Sequence, residues 1–135
     1  MTKKAIIMAG GVGARFWPKS RERSPKQLLP ILGEDTMIQL TVQRLQPLIP
    51  PEDILIITNR LHGDQVRAQL PAIPHENIIE EPIGRNTAPC IALAALILRR
   101  TDPDSVMVVL PADHLIANTE RFQKALTLAC DVAVH

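Results

Sequence analysis

The strongest constraint on the fold is an alternation repeated along the chain. Short, continuous apolar runs, Ala5–Ala9 (AIIMA), Ile54–Thr58 (ILIIT), Asn77–Glu80 (NIIE) and Ser105–Leu110 (SVMVVL), are separated by stretches of helix length, roughly Thr36–Gln46, His62–Leu70, Thr87–Arg100 and Glu120 to the end. A strand that is apolar throughout has both faces covered, and such strands joined by helix-length connections form a parallel sheet. The pattern therefore predicts an α/β fold, a mostly parallel sheet with helices on both faces, in one domain over residues 1–135. Cys90–Leu98 (CIALAALIL) is apolar all round, which predicts a helix packed between the sheet and neighbouring elements. Phe122, Ala125, Leu126, Ala129, Val132 and Ala133 keep helical spacing up to His135 with no terminating glycine or proline. Together with the small number of strands, that ending leads us to expect the N-terminal piece of a longer chain.

Composition excludes several classes. No sustained apolar run reaches the ~18–20 residues of a membrane span. Lys3-Lys4 before Ala5–Ala14 imitates a signal peptide, but Gly10, Gly11 and Gly13 interrupt the apolar stretch and Arg15 follows at once, so a cytoplasmic protein is expected. Two cysteines make no disulfide framework, and Cys90 and Cys130 read as small buried residues. His62, His75 and His135 show no metal-ligand spacing and are given no role. Residues 1–30 carry seven Lys/Arg against Glu22 alone, whereas the remainder is net acidic. A local cationic segment on a nearly neutral chain suits a discrete anionic ligand or a solvated basic loop. With aromatics at 2%, a nucleic acid polymer is not the expected partner.

The glycine loop Ala9-Gly10-Gly11-Val12-Gly13-Ala14-Arg15-Phe16-Trp17-Pro18 directly follows the first strand. Glycines there let the backbone turn sharply and bring N–H groups close to phosphate oxygens. A Rossmann dinucleotide fingerprint would need glycine at Phe16, and a Walker loop would need Gly-Lys, which does not occur. What remains is a loop with two cations. Arg15 offers a bidentate fork, and Lys26, in Ser24-Pro25-Lys26-Gln27, offers a point charge behind a proline. Both suit the stabilisation of a departing pyrophosphate. Trp17, beside Phe16, is expected to anchor the loop onto the core, with contact to the bound ligand as the alternative.

Asp113 follows the apolar run Ser105–Leu110 and so lies at a strand's carboxyl end, where open parallel sheets bind ligands. By position it is equally a hard oxygen ligand or a turn cap. Glu81–Pro89 follows a short strand and precedes a helix, with Asn86 or Thr87 as N-cap and Pro89 in the first turn. Capping leaves Gly84 and the acid pair Glu80/Glu81 without a reason.

Three motifs carry a resemblance. The run A-G-G-x-G-x-R-x-W-P-x-S with P-K-Q, the segment Glu81-Pro82-Ile83-Gly84-Arg85-Asn86-Thr87-Ala88-Pro89, and Leu110-Pro111-Ala112-Asp113-His114 resemble the signature of sugar-nucleotide pyrophosphorylases, and together the branch that makes GDP-mannose. They occur in order over residues 9–114, with Ala14 standing where the family usually has threonine. The resemblance implies the N-terminal, Rossmann-like part of a nucleotidyltransferase, with GTP and mannose 1-phosphate as partners and Mg2+ as cofactor. It implies that Gly10, Gly11, Gly13 and Arg15 hold the triphosphate, that Lys26 sits near the α-phosphate and that Asp113 is the metal ligand, with His114 structural. It also implies that the acceptor pocket lies in a later part of the family's chains, so that these residues alone would turn over weakly. Guanine offers N1–H and its 2-amino group as adjacent donors, which a carboxylate accepts as a pair. Glu80 or Glu81, with the Gly84 backbone, is therefore the expected base reader, and Asn86 is expected among the nucleotide-binding residues. A non-catalytic nucleotide-binding module and a transferase for another hexose 1-phosphate are the competing readings. A homo-oligomer is compatible with the sequence.

Overall fold

The computed structural model describes residues 1–11, 17–84 and 86–134. Four strands, β1 (Lys3–Met8), β2 (Ile54–Asn59), β3 (Ile78–Glu81) and β4 (Val106–Pro111), form one sheet in the order β3-β2-β1-β4. All three pairings are parallel, with Ala5 opposite Ile54 and Val108, and Ile56 opposite Ile78. Parallel neighbours need crossovers, and these are supplied by α1 (Met37–Gln43), α2 (Gly63–Gln69) and α3 (Thr87–Thr101), with α4 (Thr119–Ala133) after the last strand.

The pleat sends alternate side chains of the central strands into two separate cores. Ala5, Ile7, Ile54 and Ile56 pack with Ile38 and Val42 of α1, Val66 of α2 and Cys130 of α4. Ile6, Leu55 and Ile57 pack on the opposite face against Cys90, Ala94 and Leu98 of α3. Three helices thus cover one face and one helix the other, as the continuous apolar strands required. No helix among the described residues is long and apolar enough to cross a membrane.

Element ends follow local chemistry. Thr36 and Gln39 form a reciprocal capping box at the start of α1: Thr36 N–H donates to Gln39 Oε1 at 2.8 Å, and Gln39 N–H donates to Thr36 Oγ1 at 3.4 Å. This helix ends at Gln43, earlier than its periodicity suggests, because Pro47 closes the helical region for the residue before it. Asn118 Oδ1 accepts from Arg121 N–H at 2.8 Å and starts α4 one residue ahead of expectation.

Two expectations are corrected. The all-apolar α3 buries a single stripe on the sheet and leaves Leu96 59% exposed, so it is not enclosed from every side. Its periodicity allows more burial than four strands can supply. Trp17 does not anchor onto the core. It is exposed, and its ring lies under the Arg21 guanidinium at 5.2 Å. A cation over an exposed indole face is attractive by about 0.5–1 kcal/mol.

Candidate functional site

The carboxyl ends of four parallel strands share one edge of the sheet, and the loops that leave them carry the candidate residues. A cleft of about 420 Å³ opens there, between the end of β1 and the start of α3. That is within the range of small-ligand pockets. Met8, Gly10 and Gly11 form one wall; Glu81, Gly84, Asn86, Thr87 and Cys90 form the other.

The first wall is backbone, and side chains from two other elements orient it. Gln27, 4% exposed, donates through Nε2 to the carbonyls of Ala9 at 3.0 Å and Gly11 at 2.6 Å. Thr58 Oγ1 donates to the Ala9 carbonyl at 3.1 Å, and Asn59 Nδ2 donates to that of Gly10 at 3.2 Å. Three successive carbonyls are therefore held by side-chain donors. Across planar trans peptides the N–H groups of Gly10 and Gly11 are turned the opposite way. A Cβ on Gly11 or Gly84 would meet no atom within 4 Å, so both glycines leave open space at the wall, whereas one on Gly10 would touch Glu81 Oε2 at 3.5 Å. Gly13 and Arg15 lie outside the described residues.

The second wall separates the two adjacent acids. Glu81, 8% exposed, lines the cleft. Glu80, one residue earlier on the pleat, faces α2, where Arg67 Nη1 donates to its Oε1 at 2.6 Å. A Cβ at Gly63 would collide with the Glu80 carboxylate, so glycine at that position makes room for the ion pair. Burial first, and the nearby Glu81 carboxylate second, push the Cys90 thiol up to about 11. Asn86 occupies the N-cap position of α3, but its side chain caps nothing, because φ 65° and ψ −160° turn it off the helix axis. These angles lie in a region populated almost only by glycine, so the backbone at Asn86 is strained.

Lys26 and Asp113, from motifs separated by most of the chain, come together beside this edge. Lys26 opens a short 3₁₀ turn (Lys26–Leu28) after Pro25, and Asp113 follows β4. Lys26 Nζ lies 3.6 Å from Asp113 Oδ2, and the aspartate side chain is 40% exposed. The carbonyl of His114 accepts from Arg44, which gives that histidine's backbone a structural part.

Sequence reasoning had no role for Gln27, Thr58 or Asn59. The first was visible as the final residue of P-K-Q. The other two were visible only as the polar end of an otherwise apolar strand, ILII followed by Thr-Asn.

Comparison with known proteins follows the same residues. The nucleotidyl transferase family model matches residues 4–133. The chain is 49% identical over 128 residues to a mannose-1-phosphate guanylyltransferase of Salmonella muenchen, covering 92% of this chain and 27% of that protein. It is 48% identical over 126 residues to the protein of the same description from Escherichia coli, covering 92% and 26%. A crystal structure from Thermus thermophilus, described as a mannose-1-phosphate geranyltransferase, superposes with TM-score 0.88 at 35% identity, covering 98% of this chain and 38% of that one. The chain thus spans about a quarter of the length of the curated relatives it matches.

Proposed function

The chain belongs to the nucleotidyl transferase family, and from that premise we propose that it binds GTP for transfer of GMP to mannose 1-phosphate, giving GDP-mannose and pyrophosphate. The observation that carries this reading is the buried Glu81 carboxylate in the cleft, close to Gly10 on the facing wall. A carboxylate there accepts the paired N1–H and 2-amino donors of guanine. Adenine lacks both, and uracil and thymine present no 2-amino group. The glycines allow the ligand to approach the backbone closely. Of the two adjacent acids, Glu81 is the reader and Glu80 is the partner of Arg67. The relatives named for mannose-1-phosphate guanylyl transfer support the same donor and acceptor.

In the reaction, an oxygen of the sugar phosphate attacks the α-phosphorus of GTP in line. The bond from that phosphorus to the α–β bridging oxygen breaks, and pyrophosphate leaves with the electron pair. Such transfer needs positioning and charge neutralisation rather than a covalent enzyme intermediate. Lys26 supplies a fixed positive charge to the α-phosphate and the leaving oxygen. Arg15, by the motif, grips the triphosphate. Asp113 is the side chain that would hold magnesium. A partly exposed carboxylate fits an ion that takes one or two protein ligands and completes its shell with substrate phosphates and water. When bound, that ion neutralises charge on the phosphate oxygens. We assign the GTP half of the site to these 135 residues.

Calorimetric titration with GTP and magnesium, against ATP, UTP and dTTP, tests the reading. Selective GTP binding whose selectivity Glu81→Gln reduces about 10–100-fold is the expected outcome. Equal binding of all four nucleotides would refute the guanine assignment, and GTP binding without product from mannose 1-phosphate in the full-length protein would favour a non-catalytic module. Product formed faster from another hexose 1-phosphate would change the acceptor.

A further inference from the structure

The loop that carries Asp113 is gripped on both sides by two buried polar residues that the proposed reaction does not use, Thr41 of α1 and Arg44 at the carboxyl cap of that helix. Arg44, 8% exposed, donates through Nη2 to the carbonyl of His114 at 2.8 Å, immediately after the aspartate. Thr41, 2% exposed, lies with Oγ1 3.3 Å from the carbonyl of Ala112, immediately before it. The two are joined, because Arg44 Nη2 also donates to Thr41 Oγ1 at 3.2 Å. The threonine's single proton is shared between Ala112 and the Met37 carbonyl at 2.9 Å, so the arginine is the stronger half. Arg44 Nε in turn donates to the Leu40 carbonyl at 3.2 Å, and the Arg44 carbonyl accepts from Gln123 of α4 at 2.8 Å. The guanidinium is thereby tied to its own helix and, through its backbone, to the next.

A buried guanidinium is costly. Desolvation lowers the Arg44 pKa from its usual range. Its hydrogen bonds go to carbonyls and a hydroxyl, neutral acceptors that return less than a carboxylate would. An apolar residue of similar volume would fill the same space without that cost. What such a residue could not do is donate to the His114 carbonyl. The other end of the loop is also tied, since the Ala112 N–H donates to the Met8 carbonyl at 3.2 Å. Asp113 is left as the one side chain between two held peptides, within 3.6 Å of Lys26.

We propose that Arg44, with Thr41, is a positioning clamp that sets the Asp113 carboxylate beside Lys26 for metal binding. The proposal rests on the reading of Asp113 as the magnesium ligand, and its test separates the two. Groups that orient a metal ligand typically change metal affinity about 10–100-fold when removed. In the full-length protein with GTP present, Mn2+ binding is followed by electron paramagnetic resonance, and turnover is followed against magnesium concentration. Arg44→Met is expected to weaken Mn2+ binding about tenfold and to raise the half-saturating magnesium by the same factor, while preference for GTP over ATP stays unchanged. Arg44→Lys, which keeps one donor, restores part of the loss. The near-isosteric Thr41→Val gives a smaller change of about threefold, the size of one weak neutral hydrogen bond. Asp113→Asn serves as the reference. If it weakens Mn2+ binding and the clamp variants do not, the clamp is refuted and the metal ligand stands. If Asp113→Asn changes nothing, the metal reading fails and the clamp fails with it. Should Arg44→Met not fold, Thr41→Val decides: unchanged Mn2+ affinity in that variant overturns the proposal.

Discussion

Lysine–aspartate contacts lie at opposite ends of the same sheet, and they are built differently. At the amino end, Lys4 of β1 lies 2.6 Å from Asp53 and 3.8 Å from Asp102, with all three side chains largely covered. These acids precede the two strands that flank β1, so the lysine ties together the points where neighbouring strands enter the sheet. At the carboxyl end, Lys26 and Asp113 are 3.6 Å apart, and the aspartate is 40% exposed at the ligand edge. The residue types are the same, but one cluster is close, doubly charged on its acidic side and covered, while in the other the contact is longer and the aspartate is more exposed. The first arrangement spends its charge inside the protein. The second sets its more exposed carboxylate at the carboxyl edge of the sheet.

Exchanging the lysines gives the largest predicted contrast. On the proposed function, Lys26→Met in the full-length protein should lower GDP-mannose formation by about 10²–10³-fold, the usual loss when one donor to developing charge is removed, with little change in melting temperature. Lys4→Met should do the reverse, costing about 1 kcal/mol of stability in urea denaturation and leaving turnover per folded molecule unaltered. Activity surviving Lys26→Met would break the distinction.

The same division, moved to the adjacent acids of β3, predicts a smaller effect. Glu81→Gln should reduce the preference for GTP over ATP about 10–100-fold in competition binding, in line with loss of charge-assisted hydrogen bonds worth about 1.5–3 kcal/mol. Glu80→Gln should leave that preference intact and lower stability through Arg67.

Cys90 reports on the field inside the cleft. Its thiol should react with iodoacetamide with an inflection near 11, well above the ~8.5 of free cysteine. Because Glu81 contributes to that rise, Glu81→Gln should bring the inflection down. The sign for stability follows from linkage. A thiol with a raised folded pKa favours the folded state at pH below its ordinary value, and that contribution is lost as pH rises towards 11. Cys90→Ala should therefore lose less stability than the parent protein over that range in thermal melts.

The smallest effect is local. Asn86→Gly, at φ 65°, should relieve backbone strain and leave stability unchanged or raised by about 1 kcal/mol, whereas Asn86→Val should lower it by about 1–3 kcal/mol.

Much of this architecture was legible in the residues themselves. Runs such as AIIMA and ILIIT can be buried on both faces only in a covered parallel sheet, and every strand appeared within a few residues of its apolar run. Parallel strands bring their carboxyl ends to one edge, so the turns after them, with Gly10, Glu81 and Asp113, were legible as a set. Local chemistry also marks the starts of α1 and α4, where Thr36 and Asn118 cap the first turn. Other features depended on contacts far apart in sequence. Whether Glu80 or Glu81 faces the cleft depends on which helix covers each side of β3, and the pleat then sends neighbours to opposite sides. The approach of Lys26 to Asp113, the hold of Gln27, Thr58 and Asn59 on the loop carbonyls, and the grip of α1 on the β4 loop arise only when the crossovers fold back. Periodicity and turn chemistry are properties of neighbouring residues, so the chain carries them openly. The side on which a polar group finds its partner is a property of packing, and tertiary structure decides it.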